Sequence, residues 1–300
     1  MIDFAGRTAF VTGGANGVGI GIVRALLAEG CKVAIADIRQ DAIDKALATL
    51  DNNEVMGVQV DVSSREAMAE AADKVEAQFG PVSLLFNNAG INLFQTIEDS
   101  SYSDWDWVMG VNLNGPINGV MTFVPRMIEA GNGGYIVNTS SMAGWQASGS
   151  PGIYNTTKFA VRGLSESLRC SLAKHRIGVS VLCPALVKSY IYASDDIRPA
   201  ELMEGAKPVD HENVKRLAEF HEFGMEPDVI GERVLDGMRD NRMYIFSHPE
   251  HKEELAALFD TYMSDFKDYP NDPGYEKRVE FERFRRKSYD DARKAAKHAI

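Results

Sequence analysis

Residues 8–27, TAFVTGGANGVGIGIVRALL, contain a short apolar strand, a glycine-rich turn and the start of an apolar-periodic helix. The strand covers residues 8–12, and the turn carries Gly13, Gly17 and Gly19. Glycines permit a tight turn and let backbone N–H groups approach a pyrophosphate, and the helix N-terminus adds a partial positive charge. A glycine cluster alone can be a simple turn, and this spacing differs from the commonest dinucleotide fingerprint. The strand and helix that flank it favour a nucleotide site.

A second apolar strand, residues 32–36, ends at Asp37. A carboxylate at this point can accept hydrogen bonds from an adenosine ribose, and it would repel a 2′-phosphate. Asp37 therefore favours NAD over NADP, and Arg39, two residues later, partly offsets that repulsion. The alternative is that Asp37 only caps the next helix.

Tyr154 and Lys158 stand four residues apart in a helical pattern, which places both on one face of a helix. A lysine near a tyrosine stabilises the phenolate, so we expect Lys158 to lower the pKa of Tyr154. Such a tyrosine can exchange a proton with a substrate alcohol near neutral pH. Alone, the pair could also be a core tyrosine and a solvated lysine.

Strand and helix patterns alternate along the chain, which is typical of a parallel sheet covered on both faces. The predicted strands are 8–12, 32–36, 55–60, 83–86, 134–139, 178–183 and 243–246. The predicted helices are 18–29, 41–50, 64–78, 104–130 and 152–174. We therefore predict an α/β fold: one Rossmann-type domain, residues 1–250, with a doubly wound sheet of about seven strands.

Two segments depart from this alternation. Residues 188–225 form a polar insertion after the sixth strand, with aromatic residues at both ends, and we predict a substrate lid there. A surface excursion without a role is the alternative. Residues 251–300 are predicted to form a C-terminal helical extension that packs on the body or on a partner subunit.

Five motifs, in order, resemble the short-chain dehydrogenase/reductase family. They are the glycine turn 12–19 (TGGANGVG), the NNAG motif at 87–90, the helical Asn112, Ser141 and the YNTTK motif at 154–158. The resemblance runs from about residue 5 to about residue 190. It implies a Rossmann fold and an alcohol dehydrogenase that uses NAD.

The resemblance also implies roles for individual residues. The implied catalytic residues are Asn112, Ser141, Tyr154 and Lys158. The implied cofactor-binding residues are Gly13, Asn16, Gly17, Val18, Gly19, Asp37, Ile38, Asp61, Val62, Asn88, Ala89, Gly90, Tyr154, Lys158, Pro184, Val187 and Ser189. One motif departs from the family: Ala185 stands where a glycine is usual, and we expect a small local change there rather than loss of cofactor binding.

Composition narrows the function classes. A net charge of −11 argues against nucleic acid as a partner. No apolar run is long enough to cross a membrane, and the first strand leaves no room for a signal peptide. Three scattered cysteines read as reduced thiols of a cytoplasmic protein. No metal site is expected, and His248 and His251 are predicted to lie at the surface.

Several stretches, including YIFSHPE at 244–250, resemble the branch of the family that oxidises the Cα alcohol of lignin β-aryl ether dimers. This resemblance implies a benzylic secondary alcohol as substrate and a homodimer or homotetramer. Predicted substrate contacts are the aromatic residues Phe94, Trp145, Tyr190 and Tyr192, which suit a flat aryl group. They would equally suit a steroid or another bulky alcohol.

Two other classes of protein stay open at this point. One is a non-catalytic, NAD-sensing scaffold, against which the complete set of Ser141, Tyr154 and Lys158 argues. The other is an epimerase or dehydratase of a related fold that also uses a Tyr-x-x-x-Lys motif. The NNAG motif and the lack of a large sugar-nucleotide domain argue against that second class.

Overall fold

The sheet of the computed structural model, which describes residues 2–298, has seven parallel strands in the order β3-β2-β1-β4-β5-β6-β7. The strands are β1 (Thr8–Thr12), β2 (Lys32–Asp37), β3 (Val55–Gln59), β4 (Val82–Asn87), β5 (Gly134–Thr139), β6 (Ile177–Cys183) and β7 (Tyr244–Phe246). Each lies within one residue of its predicted bounds. The predicted doubly wound sheet is confirmed.

The helices cover both faces of this sheet. They are α1 (Gly17–Ala28), α2 (Gln40–Leu50), α3 (Arg65–Phe79), α4 (Tyr102–Met109), α5 (Gly115–Ala130), α6 (Gly152–Leu172), α7 (His211–His221), α8 (Pro227–Arg239), α9 (Lys252–Ser264) and α10 (Tyr275–Lys297). The central strands are buried along their length because helices pack on both sides. The strand order reverses between β1 and β4, which opens a crevice at their carboxyl ends.

The segment between β4 and β5 corrects one prediction. A single helix was expected over 104–130, but α4 and α5 are separated by one π-helical turn, Gly110–Asn114. Such a turn widens a helix locally, and π turns occur often at functional sites. Periodicity in sequence did not show it because the helix continues on both sides.

The C-terminal extension is helical, as predicted. Phe259 of α9 packs on Trp145 of the body, with 6.0 Å between ring centroids, and the end of α10 also packs on the body. The Asn241 side chain donates hydrogen bonds of 3.1 Å to the carbonyls of Ala296 and Lys297, so it caps the last turn of α10. Phe281 and Phe284 of α10 are 64% and 75% exposed. Within residues 2–298, no helix is both long enough and apolar enough for a membrane crossing.

Candidate active site

A cavity of about 340 Å³ opens at the carboxyl ends of the strands, between the glycine turn and residues 184–197. Crevices at this edge are where open α/β sheets bind ligands. The predicted site residues that line it are Gly13, Asn16, Gly17, Val18, Asp37, Ile38, Asp61, Val62, Asn88, Ala89, Gly90, Ser141, Tyr154, Lys158, Pro184, Val187, Ser189 and Tyr190. The fold thus brings residues from six strand ends together.

The glycine turn is shaped for a close-fitting ligand. Gly13 has a φ of +60°, and a Cβ there would lie 2.9 Å from the Cα of Ala89. Gly17 has a φ of +50°, and a Cβ there would lie 2.9 Å from the Cβ of Ser189. At both positions φ is positive and an added Cβ would be too close to a neighbouring atom, so only glycine fits without strain. Gly19 does not line the cavity; it packs against the Gly13 carbonyl inside the turn.

Asn16 supplies an observation that points to a polar ligand. It precedes the first residue of α1, and its side chain makes no capping hydrogen bond. Its Nδ2 is buried without a hydrogen-bond partner in the described part of the chain, although Asn16 lines the cavity. A buried donor of this kind is costly unless a ligand satisfies it. The donor and the adjoining helix N-terminus fit the phosphate end of a dinucleotide.

Asp37 lies at the end of β2 and lines the crevice. Its carboxylate accepts hydrogen bonds from the backbone N–H of Ala15 at 3.3 Å and of Arg39 at 3.2 Å. Burial raises the pKa of Asp37, and these backbone N–H groups act in the opposite direction. The Asp37 carboxylate therefore ties the glycine turn to β2, and Arg39 lines the same corner.

Tyr154, Lys158 and Ser141 converge on the cavity from α6 and the end of β5. The Lys158 Nζ donates to the Thr139 carbonyl at 2.9 Å and lies 5.3 Å from the centroid of the Tyr154 ring. The Ser141 hydroxyl donates to the Pro184 carbonyl at a long 3.3 Å and accepts from the N–H of Ala143. The phenol is partly exposed on the cavity wall, whereas Lys158 is buried.

The pKa values differ from the sequence-based expectation. Burial raises the pKa of Tyr154, and a hydrogen bond with Ser141 lowers it in part. Burial lowers the pKa of Lys158 to about 8. Lys158 was expected to lower the pKa of Tyr154. Burial acts on both groups instead, because it disfavours the charged form of each.

Asn112 sits in the π turn and is fully buried. Its side chain accepts from the N–H of Ile91 and donates to the carbonyl of the same residue, both at 2.8 Å. A Cβ on Gly90 would lie 3.5 Å from both the Asn112 Oδ1 and the Lys158 Nζ. The wide turn thus clamps the chain after β4 beside Lys158, and the Asn112 side chain itself does not line the cavity.

The loop after β6 is fixed by a histidine that was predicted to lie at the surface. His248 is buried, and its Nδ1 accepts from the N–H of Ala185 at 3.1 Å. Its Nε2 lies 3.0 Å from the Leu186 carbonyl and therefore acts as the donor. Burial lowers the pKa of His248. Ala185 is not among the residues with positive φ, so the replaced glycine leaves no backbone strain here.

The predicted lid covers the other side of the cavity. Ile191–Ile197 and Ala200–Leu202 are 3-10 helical, and α7 follows. A buried ion pair, Arg198 to Asp104 at 2.6 Å, attaches this segment to α4, with side chains 3% and 1% exposed. Burial raises the pKa of Asp104, but hydrogen bonds from Ser101, Arg198 and Gln95 outweigh it and hold that pKa below its usual value.

Three predicted substrate contacts do not line the cavity. The Trp145 ring is buried against Tyr244, Phe246 and Phe259 instead, at centroid distances of 5.0, 5.4 and 6.0 Å. Phe94 is half-buried and does not line the cavity. Tyr192 does not line it either, and its ring packs on Tyr190 and His221. Tyr190 lines the cavity and is 65% exposed.

Sequence reasoning missed several residues that line the substrate end: Trp107, Ile191, Ala193, Ser194, Asp196, Ile197 and His221. Most of them lie in short 3-10 segments, which are too short to show a hydrophobic periodicity in the sequence. No motif marks His221, although its position at the end of the predicted lid was available. The described residues contain no group of three or more His, Cys, Asp or Glu side chains that could hold a metal ion.

The family described as short chain dehydrogenase matches residues 7–198. This range contains the glycine turn, Asn112, Ser141 and the Tyr154–Lys158 pair. The chain therefore belongs to the short-chain dehydrogenase/reductase family, whose members are oxidoreductases that act on alcohols with NAD or NADP.

Relatives within this family extend the likeness to almost the whole chain. A Cα-dehydrogenase from Sphingobium sp. (strain NBRC 103272 / SYK-6) is 42% identical over 284 residues, covering 93% of each chain. A short-chain dehydrogenase structure from Novosphingobium aromaticivorans is 61% identical with a TM-score of 0.87, over 99% of this chain and 100% of the other. A Burkholderia phymatum enzyme of the family, solved in complex with NAD, is 32% identical with a TM-score of 0.84, over 91% and 99%.

Proposed function

We propose that this enzyme oxidises a benzylic secondary alcohol to a ketone with NAD, and that its substrate is the Cα alcohol of a β-O-4 aryl ether dimer. The observation that carries the proposal is the 42% identity with a Cα-dehydrogenase over 93% of both chains. The apolar and aromatic lining of the substrate end, with Trp107, Tyr190, Ile191 and Ile197, supports a flat aryl group.

Proton transfer falls to Tyr154 in this proposal. Its phenolate takes the hydroxyl proton of the substrate as general base. The Ser141 hydroxyl exchanges its long bond to the Pro184 carbonyl for one to the substrate oxygen, which it holds and orients. A nicotinamide dinucleotide held at the glycine turn and by Asn88 and Ser189 would supply the hydride acceptor for the carbinol carbon.

Lys158 and Asn112 act behind the phenol. In this proposal the Lys158 ammonium, whose Nζ the Thr139 carbonyl fixes at the cavity wall, offsets part of the burial that disfavours the Tyr154 phenolate. Asn112 holds the chain around Gly90 and Ile91 so that this corner keeps its shape. Asn112 is thus a positioning residue for Lys158 in our proposal.

NAD is the preferred cofactor in the same proposal. A 2′-phosphate would approach the Asp37 carboxylate, which is held in place by the N–H groups of Ala15 and Arg39. Arg39 is the only basic side chain lining that corner within residues 2–298, and its charge offsets part of the repulsion.

In the same proposal, residues 188–225 serve as a substrate lid. The 3-10 segments lie over the cavity, as a lid requires.

The enzyme is a homodimer or homotetramer in this proposal. Phe266, Tyr269 and Phe284 are 79%, 75% and 75% exposed on the extension, and a second subunit would cover them. Light scattering of wild type and of Phe284→Glu tests the assembly: a monomeric wild type contradicts it.

The substrate is tested by NAD reduction with a racemic β-O-4 dimer, a hydroxysteroid and a simple benzylic alcohol. The dimer is expected to give the highest kcat/KM. The Tyr154→Phe variant, which lacks only the Tyr154 hydroxyl, gives the rate of NAD reduction without the proposed general base. Faster turnover of the steroid would overturn the substrate class, and no turnover of any alcohol would favour the non-catalytic scaffold.

A further inference from the structure

At the substrate end of the cavity, two of the described polar side chains, His221 and Asp196, have an unused hydrogen-bonding atom. His221, the last residue of α7, is 9% exposed and lines the cavity. Ser194, also at this end, is already occupied: its hydroxyl accepts from the N–H of Asn92 at 3.0 Å and donates to the Ile191 carbonyl at 2.7 Å. His221 is therefore the side chain to consider for ligand recognition.

The tautomer of His221 follows from its partner. Its Nδ1 lies 2.7 Å from the Leu217 carbonyl. A carbonyl only accepts, so Nδ1 carries the hydrogen, and in the neutral ring Nε2 then has a free lone pair. The Nδ1 edge faces the helix backbone, so the opposite edge, with Nε2, is the part of the ring that can meet a ligand.

The orientation of this ring is fixed from two sides. The Leu217 carbonyl holds Nδ1, and the Tyr192 ring packs against the imidazole with 5.0 Å between centroids. Within residues 2–298, Nε2 of His221 makes no hydrogen bond. A ring that is held in place and has a free acceptor is prepared to bind a donor without further loss of side-chain entropy.

The charge at this end of the cavity also favours a neutral donor. The other unengaged polar group from the 3-10 segment is the Asp196 carboxylate, which also only accepts when ionised. The basic side chains that line the cavity, Arg39 and Lys158, lie beside Asp37 and Thr139 at other corners. A substrate carboxylate or phosphate would meet Asp196 without a compensating cation.

We propose that His221 determines substrate specificity by accepting a hydrogen bond, at Nε2, from a phenolic hydroxyl on the substrate ring remote from the reacting carbinol. A phenol combines a flat ring, which the apolar lining accommodates, with a strong neutral donor. This inference rests on the proposed aryl alcohol function and specifies its substrate class further.

The test compares two β-O-4 dimers. One has a phenolic hydroxyl on the ring remote from the carbinol, and the other is its O-methyl ether, which has the same ring but no hydrogen-bond donor there. Wild type is expected to prefer the phenol by about tenfold in kcat/KM, the value of one hydrogen bond. His221→Phe keeps a flat ring without an acceptor and should turn over both dimers equally, mainly through a raised KM for the phenol. His221→Gln, which retains an acceptor oxygen, should restore part of the preference.

Two control measurements separate recognition from folding. The Kd for NADH and the Tm of both variants should match wild type, because His221 is not among the residues predicted to bind the cofactor. A tenfold phenol preference that persists in His221→Phe, or a wild type without any preference, overturns the inference. If wild type oxidises neither dimer, the proposed function fails instead. Phenolic and O-methylated one-ring alcohols then test His221 by the same comparison.

Discussion

The two halves of the cavity are built in different ways. The cofactor half consists of backbone at the ends of strands: Gly13 and Gly17 have positive φ and no room for a Cβ, and Asp37 closes β2. The substrate half consists of side chains on 3-10 segments that a buried ion pair, Arg198 to Asp104, attaches to α4.

This difference explains which half can be recognised in a sequence. A turn that tolerates only glycine constrains the residue type at fixed spacing, so the constraint is visible as a motif. Side chains on irregular segments are brought together by tertiary contacts, and many residue types satisfy those contacts. The cofactor site can therefore be recognised from sequence motifs, whereas the substrate site cannot.

The largest expected effect tests whether chemistry can be separated from cofactor binding. Tyr154→Phe removes the hydroxyl and keeps the ring, so alcohol oxidation should fall by about 10²–10⁴-fold, the range for general acid–base catalysis. The glycine turn is untouched, so the Kd for NADH should not change. Turnover near the wild-type rate would remove Tyr154 from the mechanism.

The second effect concerns the attachment of the substrate half. Asp104→Asn leaves the buried Arg198 guanidinium with only the more distant Asp195 carboxylate, at 3.8 Å, which should lower the free energy of unfolding by about 3 kcal/mol, the lower end for breaking a buried ion pair. Lys207→Gln is the matched control: it breaks the ion pair between Lys207 and Asp99, whose side chains are 51% and 53% exposed, and should leave the free energy of unfolding nearly unchanged. Urea denaturation measures both.

The same variants address the independence of the two halves. Hydrogen exchange in Asp104→Asn should increase over residues 188–225 and stay unchanged at the glycine turn. The KM for substrate should rise while the Kd for NADH is retained. Equal loss of protection in both halves would mean that they form one cooperative unit.

The third effect tests whether the cofactor half prefers NAD over NADP. Wild type should use NAD at least about tenfold better than NADP, which is about 1.4 kcal/mol. Asp37→Ala should narrow this ratio because the repulsion of a 2′-phosphate is relieved. A wild type that prefers NADP would show that Arg39, and not Asp37, governs this corner.

The smallest effect concerns Lys158, between the two halves. Its pKa is lowered from 10.5 in the unfolded chain to about 8, so between these values the unfolded chain binds more protons. The free energy of unfolding of wild type, relative to Lys158→Met, should therefore rise by about 1 kcal/mol between pH 8 and 9. Chemical denaturation at several pH values measures it, and parallel curves would contradict the burial of a titrating ammonium.

The sheet could be predicted almost to the residue because its strands are apolar runs bounded by turns. The substrate contacts could not. Trp145 was assigned to the substrate by its position near Ser141, yet its ring is covered by Phe259 of α9 and by the aromatic residues of β7. His248 was expected at the surface because nothing near it in sequence shows that it meets the Ala185 loop.

The π turn at Gly110–Asn114 has a consequence for insertions and deletions in this chain. Each residue of an α-helix turns the chain by about 100°. Loss of one residue from the turn would let α4 and α5 join as a uniform helix and rotate one relative to the other by that angle. Asn112 would then leave the N–H and carbonyl of Ile91, so the length of this segment is fixed even though its residue types are ordinary.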